Sequence, residues 1–218
     1  MNPGPDLSET VPSNLNGLLL AACLQALEPE TVSRFDAYLS LILRWNARMN
    51  LTAVRDPQII LTRHFVESIA CAQRLPSGIH SLLDFGSGAG FPGIPIALCR
   101  QEIRVTLAES QAKKAAFLQE AVRSLELSSQ VFAGRAEMLT QQFDCVTLRA
   151  VDQMEQALAE ASSLVRYGGW IAVMTTLTEL PRVYGSTAGT FKWLEPLRLP
   201  GSDQRVLSLA MKTVDPVE

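Results

Sequence analysis

Cysteine and histidine are scarce in this chain, and neither is spaced for a metal. Cys23, Cys71, Cys99 and Cys145 are scattered with no C-x-x-C pair, and two histidines occur in 218 residues. The usual zinc ligand sets are thereby excluded, and no metal is expected. The cysteines read as small buried apolar residues of a protein in a reducing, cytoplasmic compartment. No Pro-Cys pair occurs, so the covalent nucleophile of pyrimidine C5 methylation has no candidate. Long apolar runs are missing too: none approaches the roughly 20 residues of a membrane span, and no membrane partner is expected. Residues 1–16, rich in Pro, Ser and Asn, lack the basic start of a signal peptide and read as a flexible leader. A basic excess is also absent. With 19 Lys and Arg against 22 Asp and Glu, the net charge of −3 argues against binding nucleic acid over the whole surface. Local patches remain as candidates for phosphate contact, Lys113-Lys114 and Arg44, Arg48, Arg55 and Arg63, although each taken singly reads first as an exposed solvated charge.

What is present is a globular composition, 47% hydrophobic and 19% charged, sufficient for one α/β domain with an extension. Residues 15–27 read as a docked helix. Val32, Phe35, Leu39, Ile42 and Leu43 recur at helical spacing over 31–45. Asp56-Pro57 reads as an N-cap with proline at the first helical position, opening a second helix through Ile59, Phe65 and Ile69. Pro76-Ser77-Gly78 closes this helical arm, taken as 17–78, and the core as 79–218. From there strand-like and helix-like runs alternate, which predicts a mostly parallel, doubly wound sheet. Strands are expected at 81–85, 104–108, 131–133, 143–148 and 170–175, with Gly168-Gly169 ending the helix before the fifth. Residues 181–189 read as turn-rich, and Arg205 to Lys212 as the returning strand of a terminal hairpin.

The densest signal is Leu82-Leu83-Asp84-Phe85-Gly86-Ser87-Gly88-Ala89-Gly90-Phe91-Pro92-Gly93. An apolar strand ending in a carboxylate runs into alternating glycines, which allow positive φ and a close approach of backbone to ligand. Free amides at a helix start favour an anionic or electron-rich group. Gly88 to Gly93 also fits the dinucleotide pattern G-x-G-x-x-G, with Glu109 about twenty residues on. Gly86 breaks the chain earlier than that pattern wants, however, and Asp84 before it suits a cationic cofactor. The run resembles motif I of the class I S-adenosylmethionine-dependent methyltransferases. That resemblance implies that Gly86 and Gly88 pass under the methionine and ribose and that Asp84 lies near the sulfonium and amino group. Glu109, at the end of the second strand, is placed to accept from the ribose hydroxyls.

More of the chain is similar to one family, the guanine-N7 methyltransferases of 16S ribosomal RNA, also called glucose-inhibited division protein B. The pieces are Leu43-Arg44-Trp45-Asn46 through Asn50-Leu51-Thr52, Arg63-His64-Phe65-Val66-Glu67-Ser68, Asp84 to Gly93, and Leu107-Ala108-Glu109-Ser110. Lys113-Lys114, Phe117-Leu118, Arg135-Ala136-Glu137, Arg149-Ala150 and Gly168-Gly169 come next in order. The resemblance implies a seven-stranded Rossmann-like core and an N-terminal helical extension. It implies S-adenosylmethionine as cofactor, with Gly86 and Phe91 lining it, Ala136 and Glu137 at the adenine, and Arg149 at the base entrance as the catalytic candidate. Its implied partner is 16S rRNA in the 30S subunit, and its target a guanine of the 530 loop.

Guanine N7 carries a lone pair and no proton, so no general base is expected; alignment carries the rate. Two departures from the family stand out. Glu67 replaces the usual Asp, and Met174-Thr175-Thr176 stands where a Lys-Gly pair is usual at the end of the fifth strand. His64, beside Phe65, reads as a packed histidine that could reach the cofactor crevice. Other readings are a class I methyltransferase with another acceptor, a catalytically silent RNA- or cofactor-binding module, and a nicotinamide oxidoreductase, which Asp84 disfavours.

Overall fold

The computed structural model describes residues 14–150 and 153–213. Most of the expected leader lies outside them. The first helix, α1 (Leu15–Ala21), begins at the leader's end, and Asn16 holds it to the adjoining loop by exchanging two hydrogen bonds with Leu27. Helix α2 spans Pro29–Asn46, with Phe35, Tyr38, Leu39 and Ile42 buried on one stripe. As expected, Asp56 caps α3 (Pro57–Ile59), its carboxylate accepting from the Gln58 amide. Beyond Ile59 the chain departs from a single regular helix: Ile60–Phe65 is a π-helical stretch leading into α4 (Val66–Arg74). π-Turns of this kind concentrate at functional sites, and this one carries Arg63 and His64.

The core contains β1 (Ser81–Phe85), α5 (Gly93–Cys99), β2 (Arg104–Ala108), α6 (Ala112–Ser124), β3 (Gln130–Phe132) and β4 (Phe143–Arg149). Beyond these lie α7 (Met154–Leu164), β5 (Val165–Thr176), α8 (Leu180–Ser186), β6 (Phe191–Trp193), β7 (Leu197–Arg198) and β8 (Arg205–Lys212). Seven strands form the continuous order β3-β2-β1-β4-β5-β8-β6, and the two-residue β7 pairs with β8 beside that path. Strands β1 to β5 are parallel; β8 enters antiparallel to β5 and to β6, the predicted hairpin return.

Because successive side chains alternate faces, Leu82 joins the core under the helical arm, α5 and α6, while Leu83 joins the core under α7. Parallel strands covered on both faces explain the unbroken apolar runs. Two boundaries are corrected. Helix α7 ends at Leu164, before Gly168-Gly169. Those glycines lie inside β5, where its register against β4 shifts between Phe143 and Cys145. Gly168 there has φ +68°, and a Cβ on Gly169 would lie 3.0 Å from the Asp144 carbonyl oxygen. The turn-rich 181–189 segment contains α8, with Pro181 in its first turn where the missing N–H costs nothing. Of the cysteines, Cys71 and Cys145 are buried as expected, whereas Cys23 is exposed at φ 55°.

The close approach of α5 to β1 depends on Gly93, which has no side chain to keep the two apart. A Cβ there would sit 2.4 Å from Leu107 Cδ2 and 2.6 Å from Asp84 Oδ2. Gly93→Ala should therefore destabilise the fold by about 2–3 kcal/mol through overpacking in a rigid core, read as a lowered denaturant midpoint with unchanged slope.

Candidate active site

The carboxyl ends of β1 to β4 frame a cleft of about 440 Å³, lined by Gly86, Ser110, Gly134, Ala136, Glu137 and Ala150 among others. Its volume lies in the roughly 300–1,000 Å³ range of small-ligand sites, and it stands where open α/β sheets bind nucleosides. Two buried carboxylates hold the glycine turn beside it. Asp84 is 1% exposed; its Oδ2 accepts from the Gly93 amide at 3.1 Å and its Oδ1 from Thr147 Oγ1 at 2.8 Å. Burial pushes this carboxyl up to about 6, against the pull of its hydrogen bonds from Thr147, Ser87 and Gly93. Glu109 spans the other side, Oε2 accepting from the Gly88 amide at 2.9 Å and Oε1 from the Gln111 amide at 2.7 Å. The turn between is wound by positive φ at Gly86, Gly88 and Gly90.

The sequence-derived site residues divide into those that line this cleft and those that support it. Gly86, Ala136 and Glu137 line it, with Glu137 also paired to Arg135. Gly88 and Glu109 are joined by a hydrogen bond and do not themselves line it, although Ala108 and Ser110 on either side of Glu109 do. Asp84, expected beside the sulfonium, is turned inward, because a fully buried carboxylate must take its donors from the protein. Phe91, expected to line the cofactor, is buried in an aromatic cluster with Tyr38, Phe65 and His64, whose ring stacks on it at 4.9 Å between centroids. Tyr38 donates to the Ala89 carbonyl from beneath. The helical arm thus packs directly under the glycine turn.

Arg149 lies in an adjoining cleft of about 230 Å³, which also takes in Met154, Met174, Thr175, Glu179 and Ala150. Ala150, at φ 48°, lines both clefts, so they meet at the end of β4. The Arg149 side chain is only 11% exposed. It donates to Ser68 Oγ at 3.0 Å, the Arg63 carbonyl at 2.9 Å, His64 Nδ1 at 3.2 Å and Glu67 Oε2 at 2.8 Å. The other Glu67 oxygen accepts from Arg205 Nε at 2.5 Å, bringing β8 into the same network. Burial pushes the Glu67 carboxyl upward while Arg149 and Arg205 hold it charged. Arg149 is thus a buried ion-pair partner of Glu67 and a wall of the cleft at once.

Sequence reasoning missed Arg205 altogether, since nothing local marks a residue 138 positions from its partner. It marked Glu67 only as a departure from the family's usual Asp, without its arginine partners. His64 is packed, as read, but with a specified tautomer: arginine can only donate, so Nδ1 is the acceptor and the proton resides on Nε2. That Nε2 is the buried side-chain polar atom left without a hydrogen bond among the described residues. Burial, and then Arg149, Arg63 and Arg205, push the imidazole down to about 3.

A sheet of this order, with a glycine turn after β1, an acidic residue closing β2 and a cleft across the strand ends, defines a class I methyltransferase. Solved structures share this fold. An S-adenosylmethionine-dependent O-methyltransferase from Thermotoga maritima superposes with TM-score 0.59 at 14% identity over 83% of this chain and 73% of that one. A ribosomal protein L11 methylase from Lactobacillus delbrueckii subsp. bulgaricus gives 0.57 at 13% identity, over 72% and 80%. The family described as GidB, rRNA small subunit methyltransferase G, matches residues 31–186. Ribosomal RNA small subunit methyltransferase G of Xanthomonas axonopodis pv. citri (strain 306) is 38% identical over 90% of this chain and 91% of its own length. Its counterpart in Roseiflexus castenholzii is 36% identical over 85% of each. The chain belongs to the rRNA small subunit methyltransferase G family.

The buried network has two measurable consequences. Glu67→Gln leaves two guanidinium groups without their carboxylate and should cost about 3 kcal/mol of stability, measured by urea titration. For His64 the folded pKa lies below the unfolded value of about 6.5, so the unfolded chain binds more protons between these values. Stability is full above about pH 6.5 and falls on acidification by up to about 1.4 kcal/mol per unit through this group. Asp84, whose carboxyl is raised, acts in the opposite sense between about pH 4 and 6, so the His64 effect is read from the difference between wild type and His64→Gln. The substitution should flatten the acid slope, and the His64 ring resonances of the wild type should not titrate between about pH 7.5 and 5.

Proposed function

We propose that the enzyme transfers a methyl group from S-adenosylmethionine to N7 of a guanine in the 530 loop of 16S rRNA, in the cytoplasm. The observation that carries this is the meeting of two clefts at Ala150: one framed by the glycine turn and strand ends, the other walled by Arg149 and wide enough for a base. The first cleft fits the cofactor by its own chemistry. Gly86 exposes backbone without a Cβ, Ser110 and Glu137 offer polar atoms, and Glu109, between the lining residues Ala108 and Ser110, has lone pairs left to accept from ribose hydroxyls while still holding Gly88. Ala136 and Glu137 stand beyond β3, where the adenine would lie.

When bound there, S-adenosylmethionine supplies a methyl group on a sulfonium, which passes to the N7 lone pair and leaves a neutral thioether. The protein need not remove a proton at N7, and the second cleft accordingly offers no uncommitted histidine: His64 has its acceptor nitrogen on Arg149, and Glu67 is committed to two arginines. What these residues do is hold geometry. Glu67, Ser68 and the Arg63 carbonyl fix Arg149, and Arg149 fixes His64 against Phe91 directly beneath the turn. A rigid wall beside the base would contribute to alignment, which can supply several kcal/mol. Arg149 acts through this wall and its charge, since its Nη2 is already committed to the helical arm. Arg63 offers a phosphate contact at the rim.

The test is incubation with labelled cofactor and 30S subunits that lack the modification. Label should appear as N7-methylguanine at the 530 loop; its absence under conditions where a Xanthomonas relative is active would refute the reading. Gly86→Asp places a side chain and a negative charge in the first cleft. It should weaken S-adenosylhomocysteine binding by about a hundredfold or more by calorimetry while the fold persists, and unchanged affinity would move the cofactor elsewhere.

A further inference from the structure

The second cleft contains two carboxylates, and they differ in what they are free to do. Glu67 is 1% exposed and has both oxygens bound, one by Arg149 and one by Arg205. Glu179, at the start of α8, is 42% exposed. Its Oε2 makes a long 3.5 Å contact with Arg182 Nη1, and its Oε1 accepts no hydrogen bond among the described residues. Beside it in the cleft, Met154, Met174 and Leu199 contribute polarisable or aliphatic surface against which a purine can pack, and Arg149 and Arg205 contribute guanidinium groups. Glu179 lines this cleft and the hollow beside it but not the cofactor cleft.

From this placement, and resting on the guanine-N7 reading above, we propose that Glu179 is the residue that selects guanine, accepting from N1–H and the N2 amine of the base. The geometry of the reaction supports the assignment. N7 has to face the junction at Ala150, where the methyl group arrives, so the opposite, Watson–Crick edge of the purine faces away from the cofactor cleft. On that edge guanine presents two adjacent donors, which two carboxylate oxygens match, whereas adenine presents a bare lone pair at N1 that a carboxylate repels. Arg149 cannot take this role. A guanidinium forked onto N7 and O6, its usual way of reading guanine, would cover the lone pair that must react.

The same contact favours the transition state. As N7 gains the methyl group the purine becomes cationic and its N1–H more acidic, so the bonds to Glu179 strengthen as the reaction proceeds. Interactions that grow on the way to the transition state raise turnover more than binding. Glu179→Gln keeps the shape but exchanges one acceptor for a donor, and its effect should therefore fall mainly on kcat.

The experiment compares wild type and Glu179→Gln on 30S particles reconstituted with 16S RNA carrying either guanine or inosine at the target. Inosine keeps N7, O6 and N1–H and lacks only the N2 amine. Wild type should prefer guanine about tenfold or more in kcat/KM, as expected for one charge-assisted hydrogen bond. Glu179→Gln should lose about ten- to a hundredfold on guanine, chiefly in kcat, and should treat the two bases alike, with S-adenosylhomocysteine affinity unchanged as evidence of an intact fold. Equal wild-type rates on guanine and inosine would overturn the assignment without recourse to the variant. So would a variant that retains the wild-type preference. Absence of transfer to guanine by wild type would instead overturn the acceptor reading itself, and this proposal with it.

Discussion

A carboxylate with no access to water must be given hydrogen-bond donors, and at Asp84 that requirement organises the centre of the molecule. Its two oxygens take the amide of Gly93 and the hydroxyl of Thr147, tying β1 to the start of α5 on one side and to β4 on the other. Glu109 repeats the device one strand over, holding the Gly88 amide. Between these anchors the glycine turn has little freedom left. Preorganisation of this kind is the form that catalysis takes when no proton has to move, since alignment is then most of what the protein contributes.

The second constraint comes from the helical arm. Its buried carboxylate, Glu67, meets Arg149 from β4 and Arg205 from β8, so three segments distant in sequence close over one cleft. The ion pairs are of limited worth as stabilisation, because desolvation offsets most of their attraction. Their effect is positional: Arg149 has few alternatives to the orientation in which it walls the cleft and donates to His64. The Glu67 side chain reaches both arginines at once, one with each oxygen.

The lysine usual at the end of the fifth strand is absent, and the structure shows what stands in its place. Met174, Thr175 and Thr176 form an uncharged wall, while cations enter the cleft from elsewhere, Arg63 from the arm and Arg205 from β8. Arginine side chains are thus present in this cleft although no lysine follows the fifth strand. An overall net charge of −3 is compatible with RNA as substrate for the same reason, since attraction at short screening length depends on which face carries the arginines.

The run of parallel strands, the glycine turn and Glu109 at its strand end were legible in the sequence, because each arises from local periodicity or from a backbone need that only glycine meets; the order of the strands in the sheet and the division into two cores were not. The capping of α3 by Asp56 was legible too. The boundaries at Gly168-Gly169 and over 181–189 were misread because a bulge and a short helix share the same turn-forming residues, and pairing with β4 decides between them. The roles of Asp84, Phe91 and Glu67 lay beyond any local signal. Whether a carboxylate faces ligand, solvent or two arginines depends on what is packed against it. The sequence by itself determined a class I methyltransferase sheet with a cradle for a nucleoside. Only the tertiary structure decided that Asp84 supports the cradle from within, that Phe91 belongs to the arm's aromatic cluster, and that residues 63, 67, 149, 179 and 205 share one cleft. Those assignments rest on burial and on contacts between distant segments, which no spacing along a chain encodes.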